Sequence, residues 1–182
     1  MSRRSVLCAL AMLTGCSFAL AGPMSPVAAA PIDDVNHAAI QRLGSCMSGG
    51  GRGEVILLVD RSGSLRDTDP NAARVSAAKY VVQQLQQVSA SYSWTIDVAV
   101  AGFDTVYDPT MDWVRLSADS VGKVDKAIDD FADQNRGLDT DYWNALNGAR
   151  RAFAEHGEAT GAQCQSLIMF TDGEFSVEPR AD

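Results

Sequence analysis

Residues 55–64 read VILLVDRSGS, and the rest of the chain is interpreted around this stretch. Its five leading apolar residues are typical of a strand buried on both faces of a sheet. Asp60 follows where such a strand leaves the sheet, at the edge where open α/β folds bind ligands. Ser62 and Ser64 come next at alternate positions, which a short loop can turn toward one point. Carboxylate and hydroxyl oxygens suit hard cations such as Mg²⁺ or Mn²⁺. The same residues are also compatible with a turn that caps a helix.

The composition is that of an ordinary globular protein. The chain has 182 residues, of which 46% are hydrophobic and 21% charged, and this length suffices for one domain with a proper core. The formal net charge of −8 argues against binding to nucleic acid or to an anionic membrane surface. An acidic domain attracts cations, but simple solubility explains the charge equally well.

Residues 1–30 are predicted to be a secretory signal peptide. Arg3 and Arg4 precede a mostly apolar run, and Ala28 to Ala30 resembles a small-residue cleavage site. The run is too short and too interrupted to span a membrane comfortably. Leu13 to Cys16 resembles a lipobox, which gives a lipid anchor at Cys16 as the alternative. We expect cleavage after the alanines and a secreted, extracellular protein, with a lipid-anchored cell-envelope protein as the second option.

Two cysteines remain after such a cleavage, Cys46 and Cys164. An even pair in an oxidising compartment favours a disulfide. Each cysteine precedes an apolar run, and if the two runs form parallel neighbouring strands, both cysteines lie at the same amino-terminal edge of the sheet. We therefore predict a Cys46–Cys164 disulfide, and the alternative is two buried free thiols.

The remaining chain is predicted to alternate strands and helices. Residues 31–53 form an N-terminal extension that ends in a glycine-rich joint. A helix opens at Asp69-Pro70, and a strand covers residues 94–103, where small alanines suggest a closely packed helix. Residues 105–116 form an edge hairpin with a turn at Asp108-Pro109, or an irregular edge strand.

Two more helices and a strand follow. One helix is marked by Val121, Val124, Ile128 and Phe131. The next begins at Thr140, with a loop from residue 157 to 163. Its predicted inner stripe consists of Tyr142, Leu146, Ala149 and Phe153. A buried strand at Leu167–Phe170 completes an α/β protein with a mainly parallel sheet and right-handed crossovers.

Oxygen-bearing side chains from three loops are predicted to meet at one edge of this sheet. The strand at Leu167–Phe170 runs into Asp172, so two apolar strands lead to an aspartate. If these strands are neighbours, Asp60 and Asp172 emerge side by side, and Thr140 adds a hydroxyl from a loop-to-helix junction. The complete predicted ligand set is Asp60, Ser62, Ser64, Thr140 and Asp172. The two histidines, His37 and His156, are expected to be solvated.

This pattern resembles the von Willebrand factor type A (VWA) domain and its metal-ion-dependent adhesion site. Residues 60–64 match the family motif Asp-x-Ser-x-Ser, Thr140 matches its distant threonine, and residues 171–173 match its Thr-Asp-Gly. The resemblance implies a Rossmann-like, mainly parallel sheet with helices on both faces. It also implies a divalent cation, commonly Mg²⁺ but also Mn²⁺ or Ca²⁺, on the five residues named above. Asp104 and Asp141 are candidates for supporting positions, although solvated loop acids are the more ordinary interpretation.

The resemblance covers residues 54–182 and departs from the family at its end. The family has further strands and helices after the Thr-Asp-Gly, whereas only residues 174–182 follow it here. We therefore expect a VWA domain that is C-terminally incomplete, with its sheet truncated after the fourth core strand.

The expected function is that of a secreted, non-catalytic binding or adhesion module. The bound cation would accept an Asp or Glu side chain of a protein partner, with no nucleic acid and no membrane span involved. The alternatives are a metal-dependent hydrolase and a structural VWA-like domain without metal. The loops contain no evident general base and no Gly-x-Ser-x-Gly motif, which argues against the hydrolase.

Overall fold

The computed structural model describes residues 42–50, 52–162, 164–173 and 175–177. The predicted signal peptide, His37 and most of the N-terminal extension lie outside these ranges. Within them, no helix combines the length and the apolar character needed to cross a membrane.

Four strands and several helices make up the described structure. In chain order they are α1 (42–48), β1 (Arg52–Asp60), α2 (Leu65–Thr68), α3 (Ala73–Tyr92), β2 (Thr95–Phe103), β3 (Tyr107–Arg115), α4 (Val121–Asp129), α5 (Tyr142–Thr160) and β4 (Cys164–Phe170). The strand order is β3-β2-β1-β4. Both β2 and β4 pair with β1 in parallel, and β3 pairs with β2 antiparallel. The predicted α/β class with a mainly parallel sheet is therefore confirmed.

Strand β1 lies between its two parallel partners and is buried on both faces. Val55, Leu57 and Val59 pack into the core beneath α3 and α4. Ile56 and Leu58 point the other way, into the core beneath α5. Because fully burying one such side chain is worth about 1.5–3 kcal/mol, a one-residue slip of β1 would be very costly. The strand therefore fixes where its last residue emerges.

Helix α5 packs closely on its face of the sheet because the contacting residues are small. Ala99 and Ala101 of β2 lie in one core cluster with Ala145 and Ala149 of α5, as the alanines of the predicted strand suggested. Gly148 also allows this close packing, since a Cβ added there would overlap the Cβ of Tyr107.

The predicted turn at Asp108-Pro109 is wrong. Residues 104–106 make the bend between β2 and β3, and both Asp108 and Pro109 lie inside β3. The pairing of β3 with β2 contains register shifts, so the alternative prediction of an irregular edge strand is correct. Proline is tolerated in an edge strand, where a missing N–H need not leave a partner unpaired.

The helix that was predicted to open at Asp69-Pro70 begins later, at Ala73. Residues 65–68 form the short helix α2 instead. The N-cap residue of α3 is Ala72, so the prediction of Asp69 as N-cap with Pro70 at the first helical position is wrong. The carboxylate of Asp69 nevertheless accepts hydrogen bonds from the first two backbone N–H groups of α3, those of Ala73 at 2.6 Å and Arg74 at 3.2 Å.

Helix α5 also differs from the prediction. It runs to Thr160, so the loop predicted from residue 157 is helical for its first four positions. Leu146, predicted to face the core, is 43% exposed, and Ala145 is buried in its place. Ala145, Ala149 and Phe153 are spaced by four residues and form the buried stripe.

The predicted disulfide between Cys46 and Cys164 is confirmed. The two Cα atoms lie 5.8 Å apart, and the bridge joins α1 to the first residue of β4. Cys164 is paired in register with Gly53 of β1. Both cysteines therefore lie at the amino-terminal edge of the sheet, opposite the edge where Asp60 emerges.

Candidate metal site

Strands β1 and β4 bring Asp60 and Asp172 to the same edge of the sheet. Asp60 is the last residue of β1 and is wholly buried. Val59 pairs in register with Phe170, and Asp172 follows two residues later. The carboxyl ends of two parallel neighbours thus deliver both aspartates, as the sequence predicted.

A chain of hydrogen bonds connects four of the five predicted ligands. The backbone N–H of Ser62 donates to Oδ1 of Asp60 at 2.7 Å. The hydroxyls of Ser62 and Ser64 lie 3.1 Å apart, and Ser64 donates to Oδ2 of Asp172 at 2.7 Å. The loop after β1 therefore turns both serine hydroxyls into one cluster, between the two carboxylates.

Two further hydroxyls complete this cluster, and the sequence did not predict their role. Thr171 donates to Oδ2 of Asp60 at 2.7 Å, and Thr68 donates to Oδ2 of Asp172 at the same distance. Thr171 belongs to the Thr-Asp-Gly motif, which was a usable signal. Thr68 follows Ser64 by four residues, so the helical turn of α2 places both side chains on one face.

The fifth predicted ligand, Thr140, lies in a loop that is joined to the cluster through the backbone. Gly63 donates to the carbonyl of Gly137, and Gly137 donates to that of Arg61, both at 2.9 Å. Thr140 is buried, and its N–H donates to the carbonyl of Ser176 at 2.7 Å. The loop around Thr140 is thus held between the loop after β1 and the segment after Asp172.

Glycine at position 137 is required for this close approach. A Cβ added to Gly137 would lie 2.5 Å from the Cβ of Asp104 and 3.0 Å from the carbonyl oxygen of Arg61. The first distance is shorter than real Cβ contacts, and the second is tighter than most of them, so a side chain here would push the Thr140 loop away from the cluster.

The two acids considered for supporting positions are not solvated loop residues. Asp141 is buried and caps α5, accepting a hydrogen bond from the N–H of Asn144 at 3.0 Å. Its own N–H donates to the carbonyl of Asp104 at 2.8 Å. The carboxylate of Asp104 pairs with the guanidinium of Arg61 at 3.3 Å. These acids fix the start of α5 and the loop after β2 relative to the end of β1.

A buried arginine supports the site from below. Arg74 donates to the backbone carbonyls of Asp60 at 3.1 Å and of Phe131 at 2.8 Å, and it pairs with Asp69 at 2.8 Å. Burial raises the pKa of Asp69, but hydrogen bonds from Arg74 and from two backbone N–H groups outweigh it and bring the pKa below 3.8. The sequence signal was the position of Arg74 on the buried stripe of α3, four residues before Ala78.

The donor chemistry of the cluster fits a hard divalent cation. The predicted ligands offer two carboxylates and three hydroxyls, all oxygen donors, which Mg²⁺, Mn²⁺ and Ca²⁺ prefer over the nitrogen and sulfur ligands of softer metals. Over the ranges that the structure covers, no group of three or more histidines, cysteines, aspartates and glutamates is arranged to hold a metal ion. A cation on this cluster would therefore need hydroxyl and water ligands as well as the two carboxylates.

The prediction that His156 is solvated is wrong. Its ring stacks on Trp113, with centroids 4.3 Å apart. Its Nε2 lies 3.5 Å from Oδ2 of Asp97 and 3.7 Å from Oε1 of Glu54. Glu54 and Asp97 are paired in register near the starts of β1 and β2. His156 thus belongs to a polar cluster at the amino-terminal edge, away from Asp60 and Asp172.

Comparison with known proteins identifies the class that this fold and edge cluster define. The sequence matches the von Willebrand factor type A domain family over residues 55–174. The chain therefore belongs to this family, as the motif resemblance implied.

Two solved structures from Porphyromonas gingivalis show the same fold. The chain is similar to the vWF domain of the type V pili tip protein Mfa5, with a TM-score of 0.53 and 14% identity over 68% of this chain and 38% of that one. It is also similar to three N-terminal domains of the same pili tip protein, with a TM-score of 0.52 and 13% identity over 65% of this chain and 19% of that one. This chain thus spans well under two thirds of either structure, and at these identities the likeness concerns the fold. A search of curated proteins found no match.

Proposed function

We propose that this VWA domain is a non-catalytic binding module that holds a divalent cation and uses it to bind an acidic side chain of a protein partner. The cation is Mg²⁺ or a similar hard ion such as Mn²⁺ or Ca²⁺. Asp60 and Asp172 supply negative charge, and Ser62, Ser64 and Thr140 supply hydroxyl oxygens. When bound, the cation provides an open coordination position for a carboxylate oxygen of the partner.

The observation that carries this proposal is the hydrogen-bonded cluster at the carboxyl edge. Four of the five proposed ligands lie in one continuous chain of contacts, each 2.7 to 3.1 Å long. A backbone hydrogen bond from Gly137 to Arg61 joins the loop of the fifth proposed ligand, Thr140, to the loop after β1. Such a preorganised set of hard oxygen donors, contributed by three separate loops, supports cation binding because little rearrangement would be needed.

The hydrogen bonds that the two carboxylates accept favour a binding function over hydrolysis. The carboxylate of Asp60 accepts from the backbone N–H of Ser62 and the hydroxyl of Thr171, and that of Asp172 accepts from the hydroxyls of Ser64 and Thr68. His156 lies at the other edge of the sheet, beside Glu54 and Asp97, and His37 lies outside the described residues. Hydroxyls that donate to carboxylates, with no histidine beside them in the described part of the chain, suit cation binding better than nucleophilic attack.

We further propose that the protein acts outside the cytoplasm. The signal-like first thirty residues and the Cys46–Cys164 disulfide support export, because disulfides persist in oxidising compartments. The similarity to a domain of a pili tip protein agrees with this location. Release into the medium is the preferred form, and a lipid anchor at Cys16 is the alternative.

Calorimetric titration with Mg²⁺ tests the function. We expect binding heat for the wild type, loss of that heat in Asp60→Asn, and retention in Asp119→Asn, a control at an exposed turn. Circular dichroism before titration verifies that each variant is folded. Equal heats for the wild type and Asp60→Asn would mean that the cation, if bound, does not use this cluster. If no divalent cation gives binding heat, the alternative of a structural domain that binds no metal is correct. If the protein cleaves a phosphate or ester substrate in the presence of Mg²⁺, the alternative of a hydrolase is correct.

A further inference from the structure

Large apolar side chains surround the loop that carries Thr140. Leu138 and Trp143 are the two most exposed large hydrophobic residues in the ranges that the structure describes, at 87% and 79%. Leu138 precedes Thr140 by two residues, and Trp143 follows it by three in the first turn of α5. Trp143 lies two positions before the buried Ala145, on the opposite side of the helix, so it cannot pack on the sheet.

A third apolar side chain lies in the segment that pairs with Thr140, next to Ser176. Phe175 is 64% exposed, and its ring centroid is 5.9 Å from that of Tyr142. The hydroxyl of Tyr142 lies 2.9 Å from that of Thr171, which in turn donates to Asp60. Phe175 is therefore connected to the hydrogen-bonded cluster through Tyr142 and Thr171. We refer to Leu138, Trp143 and Phe175 together as the apolar rim.

The apolar rim is unusual for a surface that remains in water. Single exposed apolar side chains are normal in folded proteins, but several beside one polar site mark an interaction surface. Tryptophan and phenylalanine are also the side chains that contribute most to binding when a partner covers them. The arrangement indicates that binding at the cluster buries apolar surface as well as a charge.

Two exposed arginines lie close in sequence to residues of the cluster, Arg66 in α2 and Arg136 in the loop before Gly137. Arg66 follows Ser64 and donates to the carbonyl of Gly63 at 3.2 Å, and Arg136 precedes Gly137. The positive charges of these two guanidinium groups are complementary to a partner's carboxylate at short range. Asp67 and Asp133 are close to them in sequence and the whole chain carries −8, so long-range attraction of an acidic protein is not expected. Short-range contacts must therefore provide most of the affinity.

We infer that the partner presents its acidic side chain beside a bulky apolar side chain, within two residues along an exposed segment. The inference rests on the proposed function, since the acidic side chain would be held by the cation. The neighbouring apolar side chain would pack on Leu138, Trp143 and Phe175. An acidic residue with only small polar neighbours would reach the cation but leave the rim uncovered.

The experiment compares the binding of the domain to immobilised synthetic nonapeptides. The Mg²⁺ concentration is about 5 mM, which is well above an ordinary Kd for the cation. One carries aspartate between two leucines in a glycine-serine background, and its control carries aspartate between two serines. We expect the leucine peptide to bind about tenfold more tightly, because a buried apolar side chain is worth about that factor or more. A chelator should abolish binding of both.

Variants of the apolar rim test whether these side chains cause the tighter binding of the leucine peptide. Leu138→Ser combined with Trp143→Ser should remove the tenfold preference while leaving the calorimetric heat of Mg²⁺ binding unchanged. Tyr80→Ser, a control at a similarly exposed position on α3, should leave both unchanged. Equal affinity for the two peptides, or no binding of either by a protein that does bind Mg²⁺, would overturn the inference. Absence of Mg²⁺ binding by the wild type would instead overturn the proposed function.

Discussion

Ser64 donates a hydrogen bond of 2.7 Å to Oδ2 of Asp172, although 108 positions separate the two residues in sequence. The bond joins the loop after β1 to the loop after β4 and lies at the centre of the proposed cation site. Asp172 also accepts from Thr68 at 2.7 Å, so two hydroxyl groups hold the same oxygen of this carboxylate in place.

Asp172→Asn should therefore weaken Mg²⁺ binding by at least about tenfold while leaving the fold intact. The amide retains an oxygen acceptor for Ser64 and Thr68 but removes one of the two negative charges that a hard cation needs. In the absence of metal, the free energy of unfolding should change by no more than about 1 kcal/mol. Calorimetry and urea denaturation measure the two effects, and an unchanged affinity for Mg²⁺ would contradict the assignment.

Arg74→Met should destabilise the protein by about 3–5 kcal/mol, the usual cost of removing one partner from a buried ion pair. The substitution keeps much of the side-chain volume but leaves the carbonyls of Asp60 and Phe131 without their donor and Asp69 without its cation. Urea denaturation measures the loss. Arg150→Met is the matched control, because Arg150 is exposed and bonds only within its own helical turn to Asn147. A loss below about 1 kcal/mol for Arg74→Met would show that the buried network is dispensable.

Gly148→Ala and Gly122→Ala should have opposite effects on stability. A methyl group at position 148 overlaps Tyr107 and would force α5 away from β3, at a cost of about 1–3 kcal/mol. At position 122 on α4 the added methyl group meets nothing within 4 Å, and alanine should stabilise the helix by about 0.4–1 kcal/mol. Thermal denaturation of both variants tests the contrast, and a shift of the same sign in both would refute the packing argument.

Removing the disulfide should destabilise the domain by about 2–5 kcal/mol, because it closes a long loop in the unfolded chain. The sequence separation of Cys46 and Cys164 is 118 residues. We expect the double variant Cys46→Ser/Cys164→Ser to unfold at a lower urea concentration than the oxidised wild type. Adding a reductant should lower the wild-type midpoint to the same value. A midpoint that does not respond to the reductant would argue that the bridge does not form in the folded protein.

The pH dependence of stability should report on Asp97. Burial raises the pKa of Asp97, but hydrogen bonds from Arg115 and Arg52 and their charges outweigh it, so the pKa falls below 3.8. A carboxyl group with a lowered pKa stabilises the fold above its unfolded value, and this contribution is lost as the pH falls through the folded value. The wild type should therefore lose stability more steeply below about pH 4 than Asp97→Asn does. Urea denaturation between about pH 6 and pH 2.5 gives both curves, and parallel curves would contradict the prediction.

The sequence was sufficient to predict the centre of the fold and the two aspartates. The apolar run of β1 is long enough to require burial on both faces, and parallel neighbours necessarily deliver Asp60 and Asp172 to one edge. The disulfide followed from the same pairing, because Cys46 and Cys164 both precede strands. These features depend on local composition and on the parallel pairing of β1 with β4.

Features decided by tertiary contacts were predicted poorly. The position of the α5 start against the loop after β2 depends on the hydrogen bond from the N–H of Asp141 to the carbonyl of Asp104, which no local pattern reveals. Leu146 fitted the helical period as well as Ala145 did, and only close packing against small residues of β2 favours alanine. Arg74 interrupts an apolar stripe and was passed over, because its partners lie on three different elements.

The pairing of β1 with β4 has a mechanical consequence. Cys46–Cys164 links the chain covalently at one end of this strand pair, and Asp60 and Asp172 emerge at the other. If the chain is anchored before β1 and a captured partner pulls on Asp172, the load draws β4 along β1, and the whole ladder of hydrogen bonds between them resists in shear rather than opening one rung at a time. The disulfide ties β4 to α1, a few residues before β1, and so limits how far the two strands can slide under such a pull.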